Sequence, residues 1–380
     1  MKILAAFDSF KGSMTSLEAG NAFAKGALIA DPDIEVVVRP MADGGEGTVD
    51  ALIDSMSGVR ESALVTGPLG RPVRSEYGII RDSNTAVMEM SAASGITLVP
   101  ADELDPLHAS SFGVGELIRD AIGKGCRRFI IGIGGSATND GGAGMLMALG
   151  YDLMDASGES ICLGAVGLRN LANISTEHLM PELAECEFII ACDVDNPLCG
   201  PMGCSAVYGP QKGASPSMVA AMDEYLEHFA DVTESYMPAA DKEYPGAGAA
   251  GGMGYAFMAY LKGRLMRGID IVIEETGLED YIRDADIVVT GEGLIDSQTA
   301  MGKAPVGVAA LAQRFQRPVI ALAGAIGPGA AAVHDQGISA VFPIVRGVCD
   351  LWSAMDHDNA CRNMTETAEE VVRLIKTLHF

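Results

Sequence analysis

Eight short apolar runs, separated by stretches of helical periodicity, constrain the fold of this chain more than any other feature. The runs are KILAAF (2–7), EVVVRP (35–40), AVMEM (86–90), RFIIGI (128–133), FIIAC (188–192), DIVVTG (286–291), PVIALAG (318–324) and AVFPIV (340–345). They are short, rich in Val and Ile, and succeeded by turn residues, the pattern of strands buried on both faces. Between them lie helical patterns at 16–30, 110–125, 217–237, 305–316 and 363–379. Ser16 is placed to cap the first, Lys124-Gly125 to stop the second, and Pro305 to open the fourth. Strand–helix alternation of this kind predicts an α/β fold with mainly parallel sheet. No repeat of fixed period appears and no long linker divides the chain, which is compatible with domains that interleave. The clearest low-complexity stretch is PGAGAAGGMG (245–254).

With 380 residues, 48% of them hydrophobic, the chain can bury a large core and is long enough for two or three domains. A formal net charge of −25 argues against nucleic acid and anionic membrane surfaces, both of which need Lys and Arg. No apolar run reaches the roughly 18 residues of a membrane span. The N-terminal run is cut short by Asp8, so it reads as a first strand rather than a signal peptide, and a cytoplasmic protein is expected. The eight Cys form no C-x-x-C and the six His no H-E-x-x-H, which points away from a Cys/His metal site. Cys126, Cys186 and Cys192 read as small core residues.

The chemistry lies in the segments at the ends of the strands. Five runs lead into acidic, Gly-rich segments: DSFKGS after 2–7, MADGGEGT after 35–40, GGSATNDGG after 128–133, DVDNPLCGPMG after 188–192 and GEGLIDSQT after 286–290. In open α/β sheets ligands bind beyond the carboxyl ends of strands. Glycine lets backbone N–H groups approach an anion, and carboxylates tolerate an anion when a hard cation such as Mg²⁺ lies between. The combination suggests a Mg²⁺–phosphate ligand, most simply a nucleoside triphosphate. Of the nine lysines, Lys25, Lys124 and Lys262 precede a Gly at the end of helical patterns, as caps would. Lys11, Lys212 and Lys303 sit in loops or at helix starts, where a cation opposes the helix dipole unless an anion is bound.

Other nucleotide motifs fit poorly. There is no G-x-x-x-x-G-K-[ST]. G-x-G-x-x-[GA] occurs at Gly132/Gly134/Ala137, where Asn139, Asp140 and further glycines delay the helix start. It recurs at Gly246/Gly248/Gly251, which comes after Pro245 and no strand. A nicotinamide-dependent oxidoreductase is therefore a minor alternative. The Gly/Ala run before 255 reads either as close helix packing or as a backbone anion cradle. Transfer of a phosphoryl group to an alcohol needs an acceptor for the hydroxyl proton. Asp193 and Asp195 share one face of an extended segment, so one could meet substrate and the other metal. Asp8, Asp43, Asp140, Glu292 and Asp296 are the other candidates, and the residues alone do not rank them.

At these same residues the chain resembles the class I glycerate kinases. The matching stretches are DSFKGSMTSLEA, PMADGGEGTVDAL, TGPLGRPV, EMSAASGI, GIGGSATNDGGAGML, ACDVDNPLCGPMG, VYGPQKGAS, GAGAAGGMGYA, TGEGLIDSQTAMGKAPVGVA and VIALAG, in order along nearly the whole length. The resemblance implies ATP-dependent phosphorylation of D-glycerate, usually at the 2-hydroxyl, by two interleaved α/β domains with the active site between them. The expected division is 1–78 with 285–380, and 79–284. ATP and Mg²⁺ are the expected cofactors and D-glycerate the substrate; assembly is left open, a homodimer included.

Motifs and resemblance together assign Asp193, Lys11 and Asp8 to catalysis, with Asp193 as proton acceptor. Asp43, Gly44, Ser136, Asn139, Asp140 and Arg71 are assigned to substrate, and Lys212, Gly251, Gly252, Gly291 and Lys303 to ATP phosphates. Asp195, Glu292 and Asp296 are assigned to metal. One departure stands out: the family usually reads GEGRIDSQ, and here Leu294 replaces the Arg. If that Arg pairs with a substrate anion, Arg71 or Lys303 must compensate. Phosphorylation at the 3-hydroxyl, another small hydroxy acid as substrate, and a catalytically silent metabolite binder stay open as alternatives.

Overall fold

The eight apolar runs all form strands in the computed structural model, which describes residues 1–43 and 47–378. In chain order the strands are β1 (Lys2–Phe7), β2 (Glu35–Val38), β3 (Val59–Thr66), β4 (Pro72–Ile80), β5 (Thr85–Glu89), β6 (Arg128–Gly132), β7 (Asp152–Met154), β8 (Asn173–Ser175), β9 (Glu187–Ala191), β10 (Arg264–Met266), β11 (Ile287–Ile295), β12 (Val319–Ile326) and β13 (Ala340–Pro343). The chain divides into two units, one formed by residues 1–57 with 269–380 and the other by 58–268. The β3–β4 hairpin belongs to the second unit, where β4 pairs antiparallel with β5.

The first unit is built on a wholly parallel sheet of order β13-β12-β11-β1-β2. Its helix Ser16–Ala30 is capped by Thr15, not Ser16: Thr15 Oγ1 accepts the Glu18 N–H, and the Glu18 carboxylate accepts the Thr15 N–H at 2.8 Å. Ser16 turns inward and donates to the Met41 carbonyl. Lys25 and Gly26 lie inside this helix rather than at its end. Gly26 is required by helix packing, since a Cβ there would sit 2.0 Å from the Thr365 carbonyl of helix His357–Thr377. Phe7, Phe23, Ala27, Met364 and Val372 close the core beneath these two helices. Burying each phenylalanine contributes roughly 2 kcal/mol.

The second unit carries a mixed sheet of order β10-β9-β6-β5-β4-β3, parallel from β10 to β5 and antiparallel through β4 and β3. A separate antiparallel pair joins β7 and β8. The helix Phe112–Gly123 packs Val114, Leu117 and Ile118 into the core, and Phe129 stacks on Phe188 with ring centroids 4.9 Å apart. Lys124 and Lys262 do sit at helix ends, Lys262 in the left-handed conformation (φ 54°). No helix among the described residues is long and apolar enough to cross a membrane.

Candidate functional site

In the first unit, β1, β2 and β11 are parallel neighbours, so their carboxyl ends emerge side by side. Pairing of Phe7 with Gly291 sets Asp8 next to the position of Glu292, and β2 delivers Asp43 on the other side of β1. GEG is not a loop after a strand, the form its glycines suggest; β11 runs on through Ile295. Gly291 is accordingly a sheet residue. A Cβ on it would lie 1.8 Å from the Leu322 carbonyl, and its own carbonyl accepts the Asp8 N–H at 2.9 Å. That accounts for the glycine without a phosphate.

Asp8 is 3% exposed. Burial first, then the charges of Asp43 and Glu292, push its carboxyl up to about 7, against the opposing Ser9 N–H and Lys11. Glu292 is also buried, and its carboxyl is raised by burial, with Thr299 and Lys303 opposing. Thr299 Oγ1 donates to Glu292 at 2.6 Å, and Lys303 Nζ stands 3.4 Å from its other oxygen. Lys303 occupies the N-cap position of helix Ala304–Arg314, and Lys11 is exposed after β1. Asp296 is drawn into its own turn, its Oδ1 accepting the Gln298 and Thr299 N–H groups. Gly44 lies outside the described residues.

These oxygens suit a hard divalent cation. Among the described residues no three Asp, Glu, His or Cys side chains form a ready-made metal cage. Mg²⁺, however, ordinarily takes one or two carboxylates and fills its octahedron with water and phosphate oxygens. Buried carboxyls that repel one another are the side chains such a cation would relieve, and Asp8 and Glu292 are the two that would hold it.

In the second unit β6 and β9 are parallel neighbours, and the segments beyond them carry the remaining candidates. Asp193 and Asp195 both lie beyond β9, Asp195 exposed. Asp193 Oδ1 accepts the Gly268 N–H at 3.1 Å. The Gly-rich segment after β6 is buried and tightly held. Asp140, fully buried, accepts the Ser111 N–H (2.8 Å), the Ser111 hydroxyl (2.9 Å) and the N–H groups of Gly142 and Gly144. Burial pushes its carboxyl up while these donors oppose the shift. Asp140 therefore closes its own loop. Asp140→Ala is expected to cost at least about 3 kcal/mol, because several buried donors lose their acceptor. Urea unfolding measures this, and a loss under about 1 kcal/mol would contradict the assignment.

Lys212 is likewise inside rather than facing solvent. It is 2% exposed, and its ammonium donates to Ser136 Oγ (2.7 Å) and the Thr138 carbonyl (2.6 Å). Burial lowers it to about 8, with Cys204 and Asp140 opposing. In this arrangement it braces the loop and holds Ser136 Oγ. Asn139 Nδ2 donates to Ser205 Oγ at 2.8 Å. Gly251 and Gly252 have left-handed backbones. A Cβ on Gly251 would lie 2.1 Å from the Thr138 carbonyl and one on Gly252 2.8 Å from Gly141 Cα, so these glycines let helix Ala249–Leu261 abut the loop. Arg71 is exposed in the β3–β4 turn and paired with Glu103 at 2.8 Å. Sequence reasoning missed Thr299, Ser111 and Ser205. Only Thr299, three residues after Asp296, carries a local signal.

Mainly parallel sheets with buried carboxylates beside lysines at the carboxyl ends of their strands are the frame of an α/β enzyme. The glycerate kinase family model matches residues 3–376. A glycerate kinase of Bacillus subtilis is 48% identical over 376 residues, covering 99% of this chain and 98% of the relative. A glycerate 2-kinase of Escherichia coli is 48% identical over 364 residues, with 95% and 96% covered. The solved "Crystal structure of putative glycerate kinase 2 from Salmonella typhimurium LT2" superposes with a TM-score of 0.92 at 45% identity, covering 99% of this chain and 98% of that one. The chain belongs to the glycerate kinase family.

Proposed function

We propose that the protein transfers the γ-phosphoryl group of ATP to the 2-hydroxyl of D-glycerate, giving 2-phosphoglycerate and ADP. The observation that carries this reading is the first unit's cluster, in which Asp8 and Glu292 are buried beside Asp43 with Lys11 and Lys303 at its edge. Phosphoryl transfer is mostly positioning and charge stabilisation, and this cluster supplies both without a covalent nucleophile. Asp8 and Glu292 would hold Mg²⁺, which supplies charge neutralisation at phosphate oxygens, and Asp43 stays a candidate substrate contact. Lys11 and Lys303 stabilise charge on the transferred group. Thr299 holds one Glu292 oxygen and leaves the other toward Lys303. In the second unit Ser136, aimed by Lys212, offers a hydroxyl to the substrate, and Asp193 accepts the hydroxyl proton. Asp195 stays a candidate metal ligand, and Asp296 a weaker one, since its own turn uses Oδ1.

A second assignment of the proton acceptor has a specific observation behind it. Asp8, pushed up to about 7, has the acidity that suits a base near neutral pH. The reaction is tested by incubating the protein with MgATP and D-glycerate, monitoring ADP release and the phosphorus NMR spectrum. The expected result is one 2-phosphoglycerate per ADP. The 3-isomer would overturn the regiochemistry, and no ADP with glycerate still bound in calorimetry would favour a silent binder.

A further inference from the structure

The carboxyl ends of β1, β11, β12 and β13 open into a cavity of about 570 Å³, most of whose wall has no assigned role. We propose that this cavity of the first unit takes the nucleoside of the phosphoryl donor, an inference that rests on the ATP-dependent reading above. Its volume lies within the roughly 300–1,000 Å³ of small-molecule sites, and its walls have their usual pattern, mostly apolar with a few polar groups. Phe10, Leu294, Ile344, Val345, Leu351 and Met355 supply the apolar surface. Lys11, Lys303 and Glu292, the residues assigned to phosphate and metal, line the same cavity.

The two kinds of lining come from different segments. Both lysines adjoin the β1–β11 cluster, whereas Ile344 to Met355 come after β13. A ligand with a flat apolar base at one end and phosphates at the other matches that division. D-Glycerate does not, because each of its three carbons carries an oxygen and an apolar wall would strip its hydrogen bonds. Leu294 fits the same picture. It is 46% exposed on the cavity wall, where it adds apolar surface in place of the Arg usual among class I glycerate kinases.

Cys349 lines the cavity and is exposed, and Cys162, also exposed, lies in the second unit. Alkylation by iodoacetamide, read by mass spectrometry of the intact full-length protein and of its peptides, therefore carries its own reference. Saturating ADP or a non-hydrolysable ATP analogue with Mg²⁺ is expected to slow labelling of Cys349 at least about 5-fold. Cys162 should be unaffected, and D-glycerate alone should protect neither. Ala354→Trp, which fills the cavity, is expected to raise KM for ATP about 10-fold while kcat and KM for glycerate change little. Nucleotide that binds by calorimetry yet leaves Cys349 labelling and the Ala354→Trp KM unchanged would overturn the placement while sparing the ATP reading. Absence of nucleotide binding and of turnover would overturn both.

Discussion

Asp8→Asn is expected to yield a protein that is harder to melt and nearly inactive. The Asp8 carboxyl stands at about 7 in the folded chain against 3.8 for the free side chain, because it is buried and faces Asp43 and Glu292. A difference of about 3 pH units corresponds to about 4 kcal/mol between the two protonation states. The native state binds the proton more tightly than the unfolded state, so this stabilisation is fully present below the unfolded value. It is lost as pH rises through about 7. Asn carries no charge at any pH and escapes that loss. The melting temperature of the variant should therefore exceed that of the natural protein at pH 8, with the gap closing toward pH 4.

Added Mg²⁺ should raise the melting temperature of the natural protein at pH 8 and do little for the variant. Turnover should fall about 1,000-fold, the scale of losing one preorganised charge at a reacting phosphate. Asp193→Asn makes the contrast. Its carboxylate lies beyond β9 and accepts the Gly268 N–H, away from the Asp8 cluster in sequence and in unit. It should lose about 100-fold in turnover if Asp193 accepts the proton. Near-normal turnover in Asp193→Asn together with loss in Asp8→Asn would move the base to Asp8. Near-normal turnover in both would remove both from the chemistry.

How far such roles can be read from sequence depends on how local their causes are. Strands β1, β6, β9, β11 and β12 announce themselves as apolar runs, and the carboxylates that come directly after those runs, Asp8, Glu292 and Asp193, are legible for the same reason. β3 and β4 are not read as strands, since VRESALVT and PVRSEYGII mix charged and apolar residues on an antiparallel hairpin whose outer face is wet. Within the site, what stays hidden is the partner. Asp140 looks like a substrate contact until Ser111, 29 residues earlier, closes on it. Gly251 and Gly291 look like an anion cradle, but what comes close to each is a carbonyl, of Thr138 and of Leu322. Glycine declares only that something approaches the backbone. Whether that is a phosphate or the protein itself depends on segments far away in the chain.

Lys212 poses the same problem with a charge in place of a hydrogen atom, and its variant separates the answers. Lys212→Met keeps length and apolar volume while removing the ammonium. In the folded chain burial lowers Lys212 from 10.5 to about 8. Between those values the unfolded state holds a proton that the native state lacks, so the stability of the natural protein should climb with pH from about 8 to 10.5. The climb amounts to about 3 kcal/mol at full extent. The Met variant should lack this component, and the difference between the two denaturation series isolates it from other groups that titrate there. At pH 7 the variant escapes the cost of the buried charge but loses hydrogen bonds to Ser136 and Thr138. The net change there should be within about 2 kcal/mol. A buried cation whose removal costs so little stability is retained for its effect on the loop. Freed from Lys212, Ser136 loses its fixed position, and turnover should fall about 100-fold, the scale of a displacement near 1 Å in a positioning group. Ser136→Ala, which leaves Lys212 in place, separates the hydroxyl's share. Equal losses in the two variants would assign the whole effect to Ser136, whereas a normal rate in Lys212→Met with the pH component gone would make Lys212 a structural cation only.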